Sequence, residues 1–156
     1  MLNTIEHGND YIDLFVTLAT LWDGVASARL GAAFAPCAIP SWIDIAPGSP
    51  FLRSLHAASL PSSVRHHLFF SYRNGRTSVD MDTDGVVTVA SQLEQDAHVQ
   101  AARVYGFSAS HTGILTSPLV FVRYSGVLAD EWVVVASATS PEGTASTFAS
   151  AATRCC

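Results

Sequence analysis

The sequence contains no lysine among its 156 residues, and its positive charge comes from eight arginines that stand singly along the chain. A nucleic-acid-binding surface needs clustered positive charge to displace counterions from phosphates, so this chain is not expected to bind nucleic acid. Charged residues make up only 13% of the chain, whereas 49% of it is hydrophobic. A disordered chain has the opposite balance, and the composition therefore predicts one folded domain with a buried core.

Long apolar runs are also absent, since no run reaches the length of about 18 residues that a membrane-spanning helix needs. The first residues carry Glu6 and Asp10 instead of the positive charge with which a signal peptide begins. Only three cysteines are present, and Cys155 and Cys156 form neither a C-x-x-C pair nor a prenylation signal. We expect a chain with no membrane span and reduced cysteines. The compartment stays open, with the cytoplasm as the default.

Short segments that favour β-structure alternate with segments of helical composition. Strands are predicted over 13–20, 66–72 and 103–107, the third being shorter than the others. Helices are predicted over 25–34, from Pro50 after a Ser49 cap, over 92–102, and from Pro118 after a Ser117 cap. This alternation is typical of an α/β domain with a parallel sheet and flanking helices.

The C-terminal region differs in composition from the rest of the chain. Ala, Ser or Thr fills fourteen of the eighteen positions from 136 to 153. We therefore predict a domain over 1–130 and a poorly ordered tail over 131–156, in which only 132–135 has the composition of an edge strand. The role of this tail stays open.

Three aspartates alternate in the loop that follows the second predicted strand: Asp80, Asp82 and Asp84, with Gly85 next. The pattern D-x-D-x-D-G also opens an EF-hand, but that loop requires a glutamate at its twelfth position. This chain has Ser91 there, so an EF-hand is not expected. Weak cation binding and an ordinary solvated turn are the remaining alternatives.

A single histidine, His111, lies in the loop that follows the third predicted strand. A lone histidine is more often structural than catalytic. However, an acid in one loop and a histidine in a later loop follow the chain order of an α/β-hydrolase triad, Ser, then Asp or Glu, then His. In such a triad the histidine takes the proton of the nucleophile, and the acid fixes the histidine tautomer and stabilises its cation.

Four segments, in the right order, resemble the lipase- or esterase-like α/β-hydrolases. The segment 18–24, LATLWDG, resembles the turn after the sixth strand of that family, and 39–52 contains a similar pattern of Pro, Ser and Trp. The segment 84–93 is similar to the family's acid loop, and 110–118 is similar to its histidine loop and final helix. Each segment alone is weak, but together they are specific over residues 12 to about 128.

The resemblance implies a fold and a reaction. The fold is the C-terminal part of an α/β-hydrolase domain with an incomplete sheet. Asp84 is the triad acid, with its D-G-V-V context selecting it over Asp80 and Asp82, and His111 is the triad base. The parent protein would hydrolyse an ester or lipid through an acyl-enzyme, with no cofactor and no metal. The ester and its chain length stay open.

The nucleophile of this family does not occur in the chain, because G-x-S-x-G is absent from the sequence. The nearest string, 106–110, ends in Ser and places Ser108 three residues before His111, so we interpret it as a chance match. The chain thus resembles the C-terminal half of a hydrolase, and we expect it to be inactive alone. The alternative is a non-catalytic truncated product or interaction module that associates with itself, or with an upstream half, through an exposed sheet edge.

Overall fold

The structure is a computed structural model that describes residues 12–34, 39–73 and 82–138, with only the backbone described at Ala32 and over 131–138. Three strands form one parallel sheet: β1 (Leu14–Leu18), β2 (Arg65–Ser71) and β3 (Ala101–Phe107). Their order is β1-β2-β3, so β2 is the central strand. The predicted α/β class, a parallel sheet with flanking helices, is therefore confirmed.

Helices connect the strands and follow the last one. They are α1 (Ala26–Phe34), α2 (Pro40–Asp44), α3 (Pro50–His56), α4 (Val89–Gln92), α5 (Gln95–Gln100), a short 3₁₀ helix (Gly113–Leu115) and α6 (Pro118–Ala138). The predicted start of α3 is confirmed, because Ser49 Oγ accepts a hydrogen bond from the amide of Leu52 at 3.1 Å. The predicted start of α6 at Pro118 is confirmed as well.

Two sequence predictions differ from the structure between residues 92 and 107. The region predicted as one helix contains α4 and α5, separated at Leu93 and Glu94, because the Glu94 carboxylate caps a new helix. The strand β3 begins at Ala101 and has seven residues, as many as β2, so the prediction of a shorter strand is wrong. The additional residues are alanines, which favour helix in isolation but here pair with β2.

The predicted edge strand over 132–135 is also wrong, because these residues continue α6. Three consecutive valines favour a strand, but a helix already nucleated at Pro118 extends at little cost per residue. Helix α6 is described as far as Ala138. The other residues of the predicted tail, together with Cys37 and Asp80, lie outside the described residues.

Apolar side chains pack against both faces of the sheet. One cluster joins the sheet to the 3₁₀ helix and α6, with buried members Ala19, Phe69, Ala109, Ile114, Val120 and Val127. The other joins the opposite face to α3 and α5, with buried members Trp22, Leu68 and Ala97 and with Leu55 packed against them. Because neighbouring residues of a strand point to opposite faces, Leu68 and Phe69 of β2 contribute to different clusters.

Among the helices of the described residues, none combines the length and apolar character needed to cross a membrane. The three parallel strands all end at the same edge of the sheet. In open α/β sheets, ligands bind beyond this carboxyl edge. The segments that follow Leu18, Ser71 and Phe107 therefore contain the candidate site.

Candidate functional site

The acid loop after β2 is a tight turn built on its own side chains. Thr83 and Thr88 form an isolated antiparallel bridge, and the amide of Asp84 donates to the carbonyl of Val87 at 3.1 Å. Thr83 Oγ1 donates to the same carbonyl at 2.9 Å and accepts from the amide of Gly85 at 3.1 Å. The turn thereby directs the Asp84 side chain inward, where it is fully buried.

The two carboxylate oxygens of Asp84 receive hydrogen bonds from different sides. Oδ1 accepts from the amides of Val86 and Val87 at 3.0 and 2.8 Å. Oδ2 contacts three side chains, namely Ser71 Oγ at 2.8 Å, Gln92 Nε2 at 3.2 Å and His111 Nδ1 at 2.9 Å. A buried carboxylate is costly when it lacks partners, and here each oxygen has two or more.

These contacts keep Asp84 ionised at neutral pH. Burial by itself would raise the pKa of Asp84, but hydrogen bonds from the Val87 amide, His111, Ser71 and the Val86 amide lower the pKa below its ordinary value. An ionised carboxylate can only accept hydrogen bonds. The proton between Asp84 and His111 therefore belongs to Nδ1 of the imidazole.

His111 is held to Asp84 at two points. In addition to the ring contact, its backbone amide donates to the carbonyl of Asp84 at 3.0 Å. The His111 side chain is 29% exposed, unlike the fully buried Asp84. In the described part of the chain, Nε2 of His111 has no hydrogen-bond partner. With the proton on Nδ1, a neutral imidazole presents the lone pair of Nε2 outward.

This arrangement can carry out general base catalysis. A histidine oriented by a buried carboxylate can accept a proton at Nε2 from a hydroxyl, and the carboxylate stabilises the resulting cation. The structure thus brings the two predicted site residues, Asp84 and His111, into direct contact.

Sequence reasoning missed Ser71 and Gln92, two fully buried neighbours of Asp84. The Gln92 amide accepts from the Ser71 amide through Oε1 at 2.8 Å and donates to the Ser71 carbonyl through Nε2 at 2.9 Å. It therefore binds the end of β2 as a neighbouring strand would. Their positions in the sequence could have indicated this role, since Ser71 lies at the end of a predicted strand and Gln92 lies shortly after Asp84.

None of the described serines completes a triad with His111. Ser108 is exposed and makes no hydrogen bond to the ring, as expected for a chance match. Ser110 Oγ accepts from the amide of Gly113 at 3.2 Å instead. A nucleophile for His111 Nε2 is therefore not found among the residues that the structure describes.

The acid loop lacks the features of a cation site. Asp84 is fully buried, and its oxygens receive five hydrogen bonds, three of them at Oδ2, which leaves little capacity for a cation. Asp82 is exposed, and its backbone carbonyl accepts from Val89 at 2.8 Å. Ser91 is buried and donates to the Gly24 carbonyl at 2.8 Å, so it faces the turn after β1. The loop is a structured turn around one buried acid.

A groove of about 570 Å³ lies between the turn after β1 and the outer side of the acid loop. Its lining includes Asp23, Gly24, Gly85, Val86 and Thr88, but not His111. A smaller apolar groove of about 330 Å³ lies beside β1, against the 3₁₀ helix and α6. Neither groove has the pair in its lining, so neither identifies a substrate for it.

The chain matches no protein-family model, and no curated protein or solved structure is detectably similar to it. The candidate site is therefore defined by the Asp84–His111 pair and its surroundings.

Proposed function

We propose that this chain is the C-terminal part of a lipase- or esterase-like α/β-hydrolase, in which Asp84 and His111 are the acid and base of a Ser-His-Asp triad. The observation that carries the proposal is the 2.9 Å contact between Asp84 Oδ2 and His111 Nδ1. A fully buried, ionised acid and a partly exposed imidazole with an available Nε2 are what that mechanism requires.

The location of the pair supports the same reading. His111 follows β3 at the carboxyl edge of the sheet, and Asp84 is attached to the end of β2 through the Ser71 hydroxyl. Catalytic groups of open parallel sheets occupy this edge. The three parallel strands lie in the order β1-β2-β3, and α6 follows the histidine loop. The four sequence segments that resemble the family occur along the chain in a compatible order.

In the proposed reaction, His111 Nε2 removes the proton of a serine hydroxyl as the serine attacks an ester carbonyl. Asp84 keeps the Nδ1 proton in place and stabilises the imidazolium. His111 then gives the proton to the leaving alcohol, and water hydrolyses the acyl-enzyme by the same steps. The serine and the oxyanion donors would come from a segment outside this chain, joined to it or separate from it. The chain alone is expected to have negligible esterase activity.

The test compares turnover of a short-chain p-nitrophenyl ester by this chain and by the same chain extended with any coding sequence that precedes it in its gene. We expect turnover only in the extended protein. His111→Ala should lower kcat/KM by about 10⁶-fold and Asp84→Asn by about 10⁴-fold. His98→Ala and Asp82→Asn, which change exposed residues outside the pair, should leave it unchanged. Turnover by the extended protein that survives His111→Ala would refute the proposal.

A second candidate is an interaction module without catalysis. The observation that favours it is the outer edge of β1, which pairs with no strand in the described part of the chain. The apolar groove of about 330 Å³ beside this edge contains Val16, Leu18 and Phe121. An unpaired edge next to an apolar groove is a site for association with another chain or with a second copy.

A further inference from the structure

A second cluster of ligand-type side chains lies away from the Asp84–His111 pair. It joins the C-terminus of α3 to the N-terminus of α5 and contains His56, Glu94 and Asp96. His56 Nδ1 lies 3.5 Å from Glu94 Oε2 and 3.8 Å from Asp96 Oδ2. One ligand atom from each residue falls within 4.8 Å of the others.

The His56 ring is fixed by a contact outside the cluster. Its Nε2 lies 2.9 Å from the backbone carbonyl of Trp22. A carbonyl can only accept a hydrogen bond, so Nε2 carries the proton and a neutral ring directs the Nδ1 lone pair at the two carboxylates. Histidines that bind metals characteristically donate their other N–H to a backbone carbonyl or a carboxylate.

Glu94 is fixed in the same way. Its Oε2 accepts from the amides of Asp96 and Ala97 at 2.8 and 3.2 Å, which caps α5. Asp96, which is more exposed, completes the cluster from the same turn. A neutral imidazole and two carboxylates are three acceptors that face each other. Their convergence is unfavourable unless a proton or a cation lies between them.

From this geometry we propose that His56, Glu94 and Asp96 bind one Zn²⁺ ion. Tetrahedral zinc with bonds of about 2.0 to 2.2 Å places its ligand atoms about 3.3 to 3.6 Å apart, close to the 3.5 and 3.8 Å separations from Nδ1. One imidazole and two carboxylates suit zinc better than Ca²⁺ or Mg²⁺, which bind through larger sets of oxygen ligands. Water would occupy the fourth position.

The ion would connect two helices that cover the same face of the sheet. Leu55 of α3 and Ala97 of α5 both pack in the cluster around Trp22 and Leu68. Zinc binding at their ends would stabilise that face of the folded chain, because the ligands come together only after folding. This proposal does not depend on the hydrolase proposal and involves neither Asp84 nor His111.

The test is calorimetric titration of the complete chain with ZnCl₂, together with Co²⁺ absorption spectra. We expect one site per chain, a rise in Tm with added Zn²⁺, and a Co²⁺ spectrum without thiolate bands. Asp96→Asn and His56→Gln should each weaken Zn²⁺ binding by at least tenfold. The matched controls His98→Gln on α5 and the double variant Cys155→Ser, Cys156→Ser should bind as the unchanged chain does.

Asp96→Asn decides the test if His56→Gln fails to fold, because the Asp96 side chain is 56% exposed and its loss removes little packing. Zinc affinity unchanged by Asp96→Asn, or lost in the cysteine double variant, would overturn the proposal. So would the absence of Zn²⁺ binding at concentrations up to the millimolar range.

Discussion

The carboxylate of Asp84 has no solvent exposure, and it depends on Ser71, Gln92, His111 and two amides for its hydrogen bonds. The acid is therefore part of the folding energetics of the chain as well as of the candidate site. Its folded pKa lies below the ordinary value of 3.8, because these hydrogen bonds outweigh the effect of burial. Stability should consequently depend on its ionisation.

In acid, we expect the folded chain to lose the stabilisation that ionised Asp84 provides. Above pH 3.8 the carboxylate is ionised in both states and contributes its full stabilisation. As the pH falls below that value, the unfolded chain binds the proton first. The contribution to stability is lost as the pH falls further, to the lower pKa that Asp84 has in the folded chain. In urea unfolding at pH 7 and pH 3, the difference between the unchanged chain and Asp84→Asn should therefore shrink in acid. A constant difference, or an equal change in Asp82→Asn, would contradict the assignment.

His66 should produce a separate pH dependence. Burial lowers its pKa from 6.5 to about 4, with a contribution from the neighbouring His67, although the nearby backbone of Ala97 acts in the other direction. Between pH 6.5 and pH 4, His66 therefore binds a proton in the unfolded chain but not in the folded chain. We expect the free energy of unfolding to fall by about 3 kcal/mol over this window.

Replacement of this histidine provides the check. His66→Phe should reduce the loss of stability between pH 6.5 and pH 4 and leave the part that comes from His67, whose pKa is also lowered by burial. His98→Phe, at an exposed position, should retain the full loss. Urea unfolding followed by circular dichroism at several pH values measures both variants. An identical pH profile for His66→Phe and the unchanged chain would show that folding does not lower the pKa of His66.

At the scale of secondary-structure elements, the turn after β1 shows how local backbone geometry supports the site. Gly24 has a φ of +77°, a left-handed conformation that side chains rarely adopt. A Cβ atom there would also collide with the carbonyl oxygen of Ile45. A hydrogen bond connects this turn to α4, because Ser91 Oγ donates to the Gly24 carbonyl at 2.8 Å.

Two glycines separate the effects of backbone strain and collision. Gly48 has a similar φ of +72°, but a Cβ atom there would have nothing within 4 Å. We expect Gly48→Ala to cost about 1 kcal/mol through strain alone. Gly24→Ala should cost about 3 kcal/mol or more, because the chain must also move away from Ile45. Equal losses in urea unfolding would show that the collision is relieved at no cost.

The elements were predictable where local chemistry determines them. Ser49 and Pro50 mark the start of α3, and the run 66–72 closely matches β2, because a cap and an apolar run act locally. The breaks around Leu93 and the helix over 132–135 depend on a particular cap and on propagation from Pro118. Propensities alone do not determine either of these outcomes.

The site was predictable only in part, for a similar reason. Asp84 and His111 were identified through resemblance and chain order, and the structure brings them into contact. Ser71 and Gln92 carried no motif, and only the fold brings them to the acid. The His56 cluster was missed because its members come from helices that are far apart in the sequence.

At the scale of the whole molecule, the sheet is covered on both faces, and its two edge strands, β1 and β3, each pair only with β2 among the described residues. In the described part of the chain, β1 pairs with β2 and with no other strand. Leu115 and Phe121 line the apolar groove beside β1 and are 71% and 69% exposed. Such a concentration of exposed apolar side chains next to a free edge predicts association.

We expect the isolated chain to associate reversibly at micromolar concentration, with the β1 edge and its groove at the interface. Phe121→Glu should weaken association by at least tenfold, because the charge would have to be buried against apolar groups. Val99→Glu is the matched control, since Val99 on α5 is 74% exposed but lies away from the groove. A monomer at every concentration in sedimentation velocity, or equal effects of the two variants, would contradict this expectation.

Fluorophosphonate labelling with peptide mapping tests whether Asp84 and His111 activate a serine supplied from outside this chain. We expect no labelled serine in the isolated chain. In the chain extended with any coding sequence that precedes it in its gene, we expect one labelled serine in the added segment, labelled equally in His98→Ala and lost in His111→Ala. A labelled serine within this chain, or labelling that survives His111→Ala, would show that Asp84 and His111 do not have these roles.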